Sequence, residues 1–204
     1  MRAKLTSLQF VGIVLVLAAL YVVAAKFGLM LAFVHASATA VWPPTGLSLA
    51  ALLILGYRVW PGIFLGGFLA NYLTLGSVTT SLGIAMGNTL EGLIGAYLMN
   101  RFANGQNAFS YAQGVFKFAA LAGLVSTAIS PTFGVTSLAG GGYASWASYT
   151  SVWMTWWLGD VAVNLLVAPM LVLWAKNPHV RWNRDQVLEA ALLMVLLVGT
   201  GLAL

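Results

Sequence analysis

Asn88 and Glu91 stand inside the apolar run 82–99, and Asp160 stands inside the run 146–174. The chain has only four acidic residues, and two of them are set in surroundings that read as hydrocarbon. Ionisable groups inside membrane spans are costly, so their default reading is functional: they bind a ligand, hold a cation or carry a proton. Desolvation disfavours the charged form of a carboxyl, which makes Glu91 and Asp160 candidate proton-linked switches.

The spacing around each acid narrows the chemistry. Trp156, Asp160 and Asn164 recur every four residues and share one helical stripe, with Trp153 and Trp157 alongside. Aromatic faces attract positive charge and the acid supplies a counterion, an arrangement that suits an organic cation. The competing reading is a packed tryptophan cluster whose indole donors satisfy Asp160. Gly83, Gly87, Glu91 and Gly95 also fall at spacing four, with Asn88 on the adjoining row. Glycine admits a neighbouring backbone, so Asn88 and Glu91 make either an interhelical clamp or part of a ligand site.

Other chemistries find no support. Two histidines far apart and scattered oxygens have no metal-ligand spacing, and His35 reads as an interfacial residue. Gly140-Gly141-Gly142 is a turn, with none of the following residues of a phosphate loop. No Ser/His/Asp set and no catalytic pair of carboxylates on one local element is visible, so catalysis within this chain is not expected. No cofactor is called for. Cysteine is absent, which removes disulfides and thiolate metal sites.

The elements that must carry these residues are membrane helices. Apolar residues make up 61% of the 204 and charged residues 6%, against about 25% charged in soluble domains. The net charge of +5 comes from nine Lys and Arg scattered singly, which argues against a nucleic-acid partner. The first span is about Leu8–Ala25; Val23 and Ala25 stand at cleavage-like positions, but the spans that follow favour an uncleaved anchor. An apolar segment 27–41 runs into Trp42-Pro43-Pro44-Thr45-Gly46, where helix must stop near Trp42 and can restart with the prolines in its first turn. Further runs follow at about 46–56, 61–75, 80–99, 115–138, 146–174 and 187–204. The 46–56 run is short for a span, so it is thin, tilted, or paired with 27–41 as a re-entrant hairpin. Gly62 and Gly66 form a small-xxx-small pair, continued by Gly67 and Asn71, that reads as tight helix packing.

Threading these runs with the amino terminus inside places Arg2, Lys4, Arg58, Arg101, Lys117, Lys176, Arg181 and Arg184 on one side and Lys26 alone on the other. That asymmetry predicts a cytoplasmic amino terminus. The expected fold class is an all-α polytopic transmembrane bundle of about seven spans. The seventh crossing, 187–204, heads outward and stops inside hydrocarbon, so the chain is expected to be one integral membrane domain cut before an eighth span.

Trp42-Pro43-Pro44-Thr45-Gly46, Leu55-Gly56-Tyr57-Arg58, Trp60-Pro61-Gly62, and then Gly66, Phe68 and Asn71 resemble the opening signature of the membrane-associated sensor domain family, the type-one MASE class. Gly87-Asn88-Thr89-Leu90-Glu91, Trp157-Leu158-Gly159-Asp160 and Ala168-Pro169 match the later blocks in the same order. The resemblance implies an eight-span module of the bacterial inner membrane. It further implies a sensory input at the amino terminus of histidine kinases, diguanylate cyclases or cyclic-di-GMP phosphodiesterases. The candidate ligand-binding or signalling residues are therefore Trp42, Pro43, Pro44, Asn71, Asn88, Glu91, Trp153, Trp156, Trp157, Asp160 and Asn164.

The expected partners are the lipid bilayer, a small-molecule or protein stimulus, a C-terminal effector and a second copy in a homodimer. Two other classes fit the same composition: the substrate-binding membrane subunit of a small-solute transporter, and a plain membrane anchor.

Overall fold

The computed structural model describes residues 6–30 and 41–178 of the chain. Arg2, Lys4, His35, Arg181, Arg184 and the expected crossing 187–204 lie outside the described residues. The chain divides into two compact units, Met1–Leu173 and Trp174–Leu204; of the second, the described part is the last turn of a helix and the two residues after it.

Every regular element among the described residues is helical. Helix α1 spans Ser7–Leu29 and opens on a reciprocal cap, in which Thr6 Oγ1 accepts from the Gln9 amide and Gln9 Oε1 accepts from the Thr6 amide. Helix α2, Pro43–Leu55, starts where the proline pair predicts, with Trp42 at its N-cap. A single 3₁₀ turn, Tyr57–Val59, leads into α3, Trp60–Leu75. Gly76 at φ 73° ends α3, since the left-handed conformation costs glycine no Cβ clash. Ser77 then caps α4, Val78–Phe102. Helix α5, Ala112–Phe118, continues through a π segment, Ala119–Val125, and a 3₁₀ turn, Ser126–Ala128, into α6, Ile129–Gly140. Pro131 fits the 3₁₀ turn before it: it offers no amide to the Thr127 carbonyl four residues back, and its ring needs room there. Helix α7 spans Tyr149–Lys176.

Three helical stretches are long and apolar enough to cross a membrane: Ser7–Leu29, Ala112–Gly140 and Trp146–Lys176. Helix α4 has 25 residues, about 37 Å, and is long enough, though less apolar. Helices α2 and α3, with 13 and 16 residues, fall short of the roughly 20 that a perpendicular crossing needs.

Glycine faces set which helices meet. A Cβ built at Gly62 would lie 2.8 Å from the Val14 carbonyl, and one at Gly66 would lie 2.6 Å from Tyr21 Cβ. Lys26 Nζ donates to Thr74 Oγ1 at 2.9 Å further along, so α1 and α3 run parallel. On α4, Gly83 faces Ser137, Gly87 faces Phe133 and Ser130, and Gly95 faces Ser126, so α6 runs antiparallel to α4 against that stripe. Trp153 meets Thr132, while Tyr149 meets Thr136, so α7 returns antiparallel to α6. Helix α2 runs parallel to α4, with Leu49 at Gly95 and Tyr57 at Asn100. These directions put Arg58, whose guanidinium lies over the Phe10 ring, and Arg101 at the end where α1 begins; Lys26 is at the other.

Candidate functional site

The helix directions bring polar groups from five helices to one buried locus. Helix α4 supplies Asn88 and Glu91, one turn apart and 5% and 3% exposed. Helix α7 supplies Asp160, which is fully buried, and Trp156 beside it. Thr45 in the first turn of α2 donates its hydroxyl to Asp160 Oδ1 at 2.8 Å. Ser130 on α6 donates to Asn88 Oδ1 and lies beside both Glu91 and Asp160. Tyr21 on α1 faces Trp42 and Asn88, within electrostatic range of both acids.

Each approach depends on a glycine. A Cβ at Gly87 would meet Phe133 Cβ at 2.6 Å and the Ser130 carbonyl at 3.2 Å, so the absence of that atom lets Ser130 reach Asn88. A Cβ at Gly46 would meet Val167 Cβ at 2.6 Å, which allows α2 to lie on α7 with Thr45 against Asp160. At Gly134 it would meet the Trp156 ring at 2.5 Å, so the indole lies flat on α6. Small residues at helix contacts are the usual means of close approach in membranes.

The cluster is left with open valences. Glu91 Oε1, Asp160 Oδ2, Asn88 Nδ2, Trp42 Nε1 and Trp156 Nε1 are buried and have no hydrogen-bond partner among the described residues. Buried polar atoms are almost always partnered, so five orphans at one locus mark it apart from the rest of the bundle. No Lys or Arg among the described residues pairs with either acid: Lys26 is bound to Thr74, Arg58 lies over Phe10 and Arg101 over Phe102. Nor do the described residues include a group of three or more His, Cys, Asp and Glu able to hold a metal ion.

The remaining sequence candidates divide. Trp153 and Trp157 stack on each other, centroids 5.7 Å apart, and do not wall the carboxylate. Their indoles donate outward, Trp153 to Thr132 Oγ1 and Trp157 to the Leu124 carbonyl. Asn164 donates to the Ala122 carbonyl, so Asn164 and Trp157 both serve carbonyls of the π segment, where the regular ladder is broken. Asn71 donates to the Gly67 carbonyl of its own helix. Pro44 is buried behind Trp42, and Pro43 lines an open apolar groove of about 280 Å³ with Phe27, Gly28, Met30 and Val41. Those five lining residues offer no polar side chain to orient a ligand.

Sequence reasoning missed Tyr21, Thr45 and Ser130. Thr45 sat within the Trp-Pro-Pro-Thr-Gly motif, which was a signal. Tyr21 and Ser130 lie in apolar runs, where a lone hydroxyl reads as a self-capped side chain, as Thr89 in fact is on the Ala85 carbonyl.

The family model described as MASE1 matches residues 13–204, nearly the whole chain. No curated protein and no solved structure matches it.

Proposed function

The chain belongs to MASE1, a family of membrane-associated sensory domains, and from that membership we propose that the five-helix polar cluster is where its stimulus acts. The observation that carries this reading is the set of orphaned atoms on Glu91, Asp160, Asn88, Trp42 and Trp156. A bundle held together only for anchoring gains nothing from five unpaired buried polar atoms, each of which costs about 1–3 kcal/mol. A binding site needs them open.

A stimulus shifts a conformational equilibrium only by its differential affinity for the two states. The cluster supplies that differential, because its members sit on α1, α2, α4, α6 and α7, and any change in helix packing changes their spacing. The glycine contacts at Gly46, Gly62, Gly66 and Gly87 let those helices slide or rotate with few side chains to repack. The output is a signalling effector that follows the domain, a histidine kinase or a diguanylate cyclase or phosphodiesterase, working as a homodimer. The domain lies in the bacterial inner membrane as a multi-pass bundle. Its amino terminus is cytoplasmic, as the gathering of Arg58 and Arg101 at the end opposite Lys26 supports.

The test is a full-length parent protein carrying Asp160→Asn and Glu91→Gln, assayed for effector output with and without its stimulus. Loss of the stimulus response with basal output retained supports the reading. A normal response in the double variant sinks it and moves the stimulus away from the two acids.

A further inference from the structure

We propose that the cluster takes a small primary amine carrying an uncharged oxygen acceptor, seated with its ammonium between Glu91 Oε1 and Asp160 Oδ2. The inference rests on the sensory reading above and names the ligand class for the same site.

The two free carboxyl oxygens come from different helices, and both residues are at least nine-tenths buried. A buried carboxyl needs a donor or a cation, and among the described residues no cationic side chain meets either acid. An ammonium supplies three N–H donors and one positive charge, which suits a pair of acceptors better than a single-donor group does. The cluster also holds free donors, Trp42 Nε1, Trp156 Nε1 and Asn88 Nδ2, which an amine alone leaves unpaired. A ligand that satisfies both sets carries an oxygen acceptor beside its amine.

That acceptor is uncharged. An anionic group would enter a buried site containing two acids and, among the described residues, no paired cation, where like charges repel with little screening. This disfavours amino-acid zwitterions and favours amino alcohols and amino amides. A quaternary ammonium held by ring faces is a poorer fit, because Trp153 and Trp157 stack on each other and the Trp156 ring is spent on Gly134.

The probes are ethanolamine, ethylammonium, ethylene glycol, tetramethylammonium and glycine. Each is titrated calorimetrically and by thermal shift into the detergent-purified domain in an amine-free buffer. Ethanolamine binds and raises the melting temperature with dose. Ethylammonium binds about tenfold more weakly, the change that corresponds to ~1.4 kcal/mol for one hydrogen-bonding group. Ethylene glycol, tetramethylammonium and glycine leave the melting temperature unmoved. Glu91→Gln or Asp160→Asn abolishes the ethanolamine effect. The comparison among probes uses the unaltered protein, so it stands even if a variant does not fold.

A primary amine also occurs on the phosphatidylethanolamine headgroup, but beside an anionic phosphate, so the uncharged acceptor commits the site to a free amine. Reconstitution in phosphatidylglycerol vesicles, with and without phosphatidylethanolamine, separates the sources. A free source appears as a response to ethanolamine in both membranes; stabilisation by phosphatidylethanolamine that requires Asp160, with no response to free ethanolamine, overturns the uncharged acceptor. No binding of ethanolamine overturns the proposal, as does equal binding of tetramethylammonium or glycine. A neutral or anionic ligand that requires Asp160 overturns the amine class while leaving the sensory reading intact.

Discussion

Thr45 and Asp160 are 115 positions apart in the chain, and Thr45 Oγ1 donates to Asp160 Oδ1 at 2.8 Å in the interior of the bundle. That bond fixes the start of α2 to the middle of α7 and leaves the other carboxylate oxygen of Asp160 open. Half of the Asp160 carboxyl is therefore structural, and the other half is the part that the proposed ligand engages.

Thr45→Val removes the donor at nearly constant volume and leaves Asp160 Oδ1 without its hydroxyl partner. The expected loss is about 1–3 kcal/mol of stability, read as a lower melting temperature in detergent. An unchanged melting temperature would mean that the bond is not maintained in the membrane protein.

Gly87→Ala pushes a methyl group to 2.6 Å from Phe133 Cβ, and the side chain there is held close to its backbone and cannot swing aside. Overpacking of this kind costs about 1–3 kcal/mol and should separate Ser130 from Asn88. Gly12→Ala is the control: nothing lies within 4 Å of the added atom, and alanine is favoured over glycine in a helix by roughly 0.5–1 kcal/mol. Thermal unfolding of the pair should shift in opposite directions. A shared direction would refute the packing account of the α4 stripe.

Gly46→Ala acts on α2 through Val167, 2.6 Å from the new methyl group. Because it displaces Thr45 from Asp160 without altering either acid, stimulus-dependent output should fall while the protein still inserts. Intact output would show that the α2–α7 contact is not part of the response.

The natural chain has no cysteine, so single cysteines report topology without background. Ser110→Cys lies at the Arg58 and Arg101 end, whereas Thr79→Cys and Ala147→Cys lie at the other. In intact cells an impermeant maleimide should label the second pair and spare the first. The reverse pattern would overturn the cytoplasmic amino terminus.

Much of the fold is legible in the sequence because its signals are local. The Pro43-Pro44 pair sets the start of α2, since proline fits only the first turn of a helix. The spacing of Gly83, Gly87 and Gly95 picks out the face of α4 that α6 covers. The stripe of Trp156, Asp160 and Asn164 also follows from helical geometry, and all three residues are buried. Trp153 and Trp157 show where such reasoning stops: four residues apart, they stack on each other and brace the neighbouring helices, though their spacing beside Asp160 reads equally well as a ligand wall.

By itself the sequence determined the helical class, the helix breaks, the small-residue faces and the two acids as points of cost. Those are properties of a residue and its near neighbours along one helix. Only the tertiary structure decided that Glu91 and Asp160 share a locus, that Tyr21, Thr45 and Ser130 join them, and that five polar atoms there find no partner among the described residues. Hydrogen-bond partnership across helices depends on register and rotation to within an ångström, and periodicity along a single helix carries no record of which neighbour, at which height, its polar face will meet.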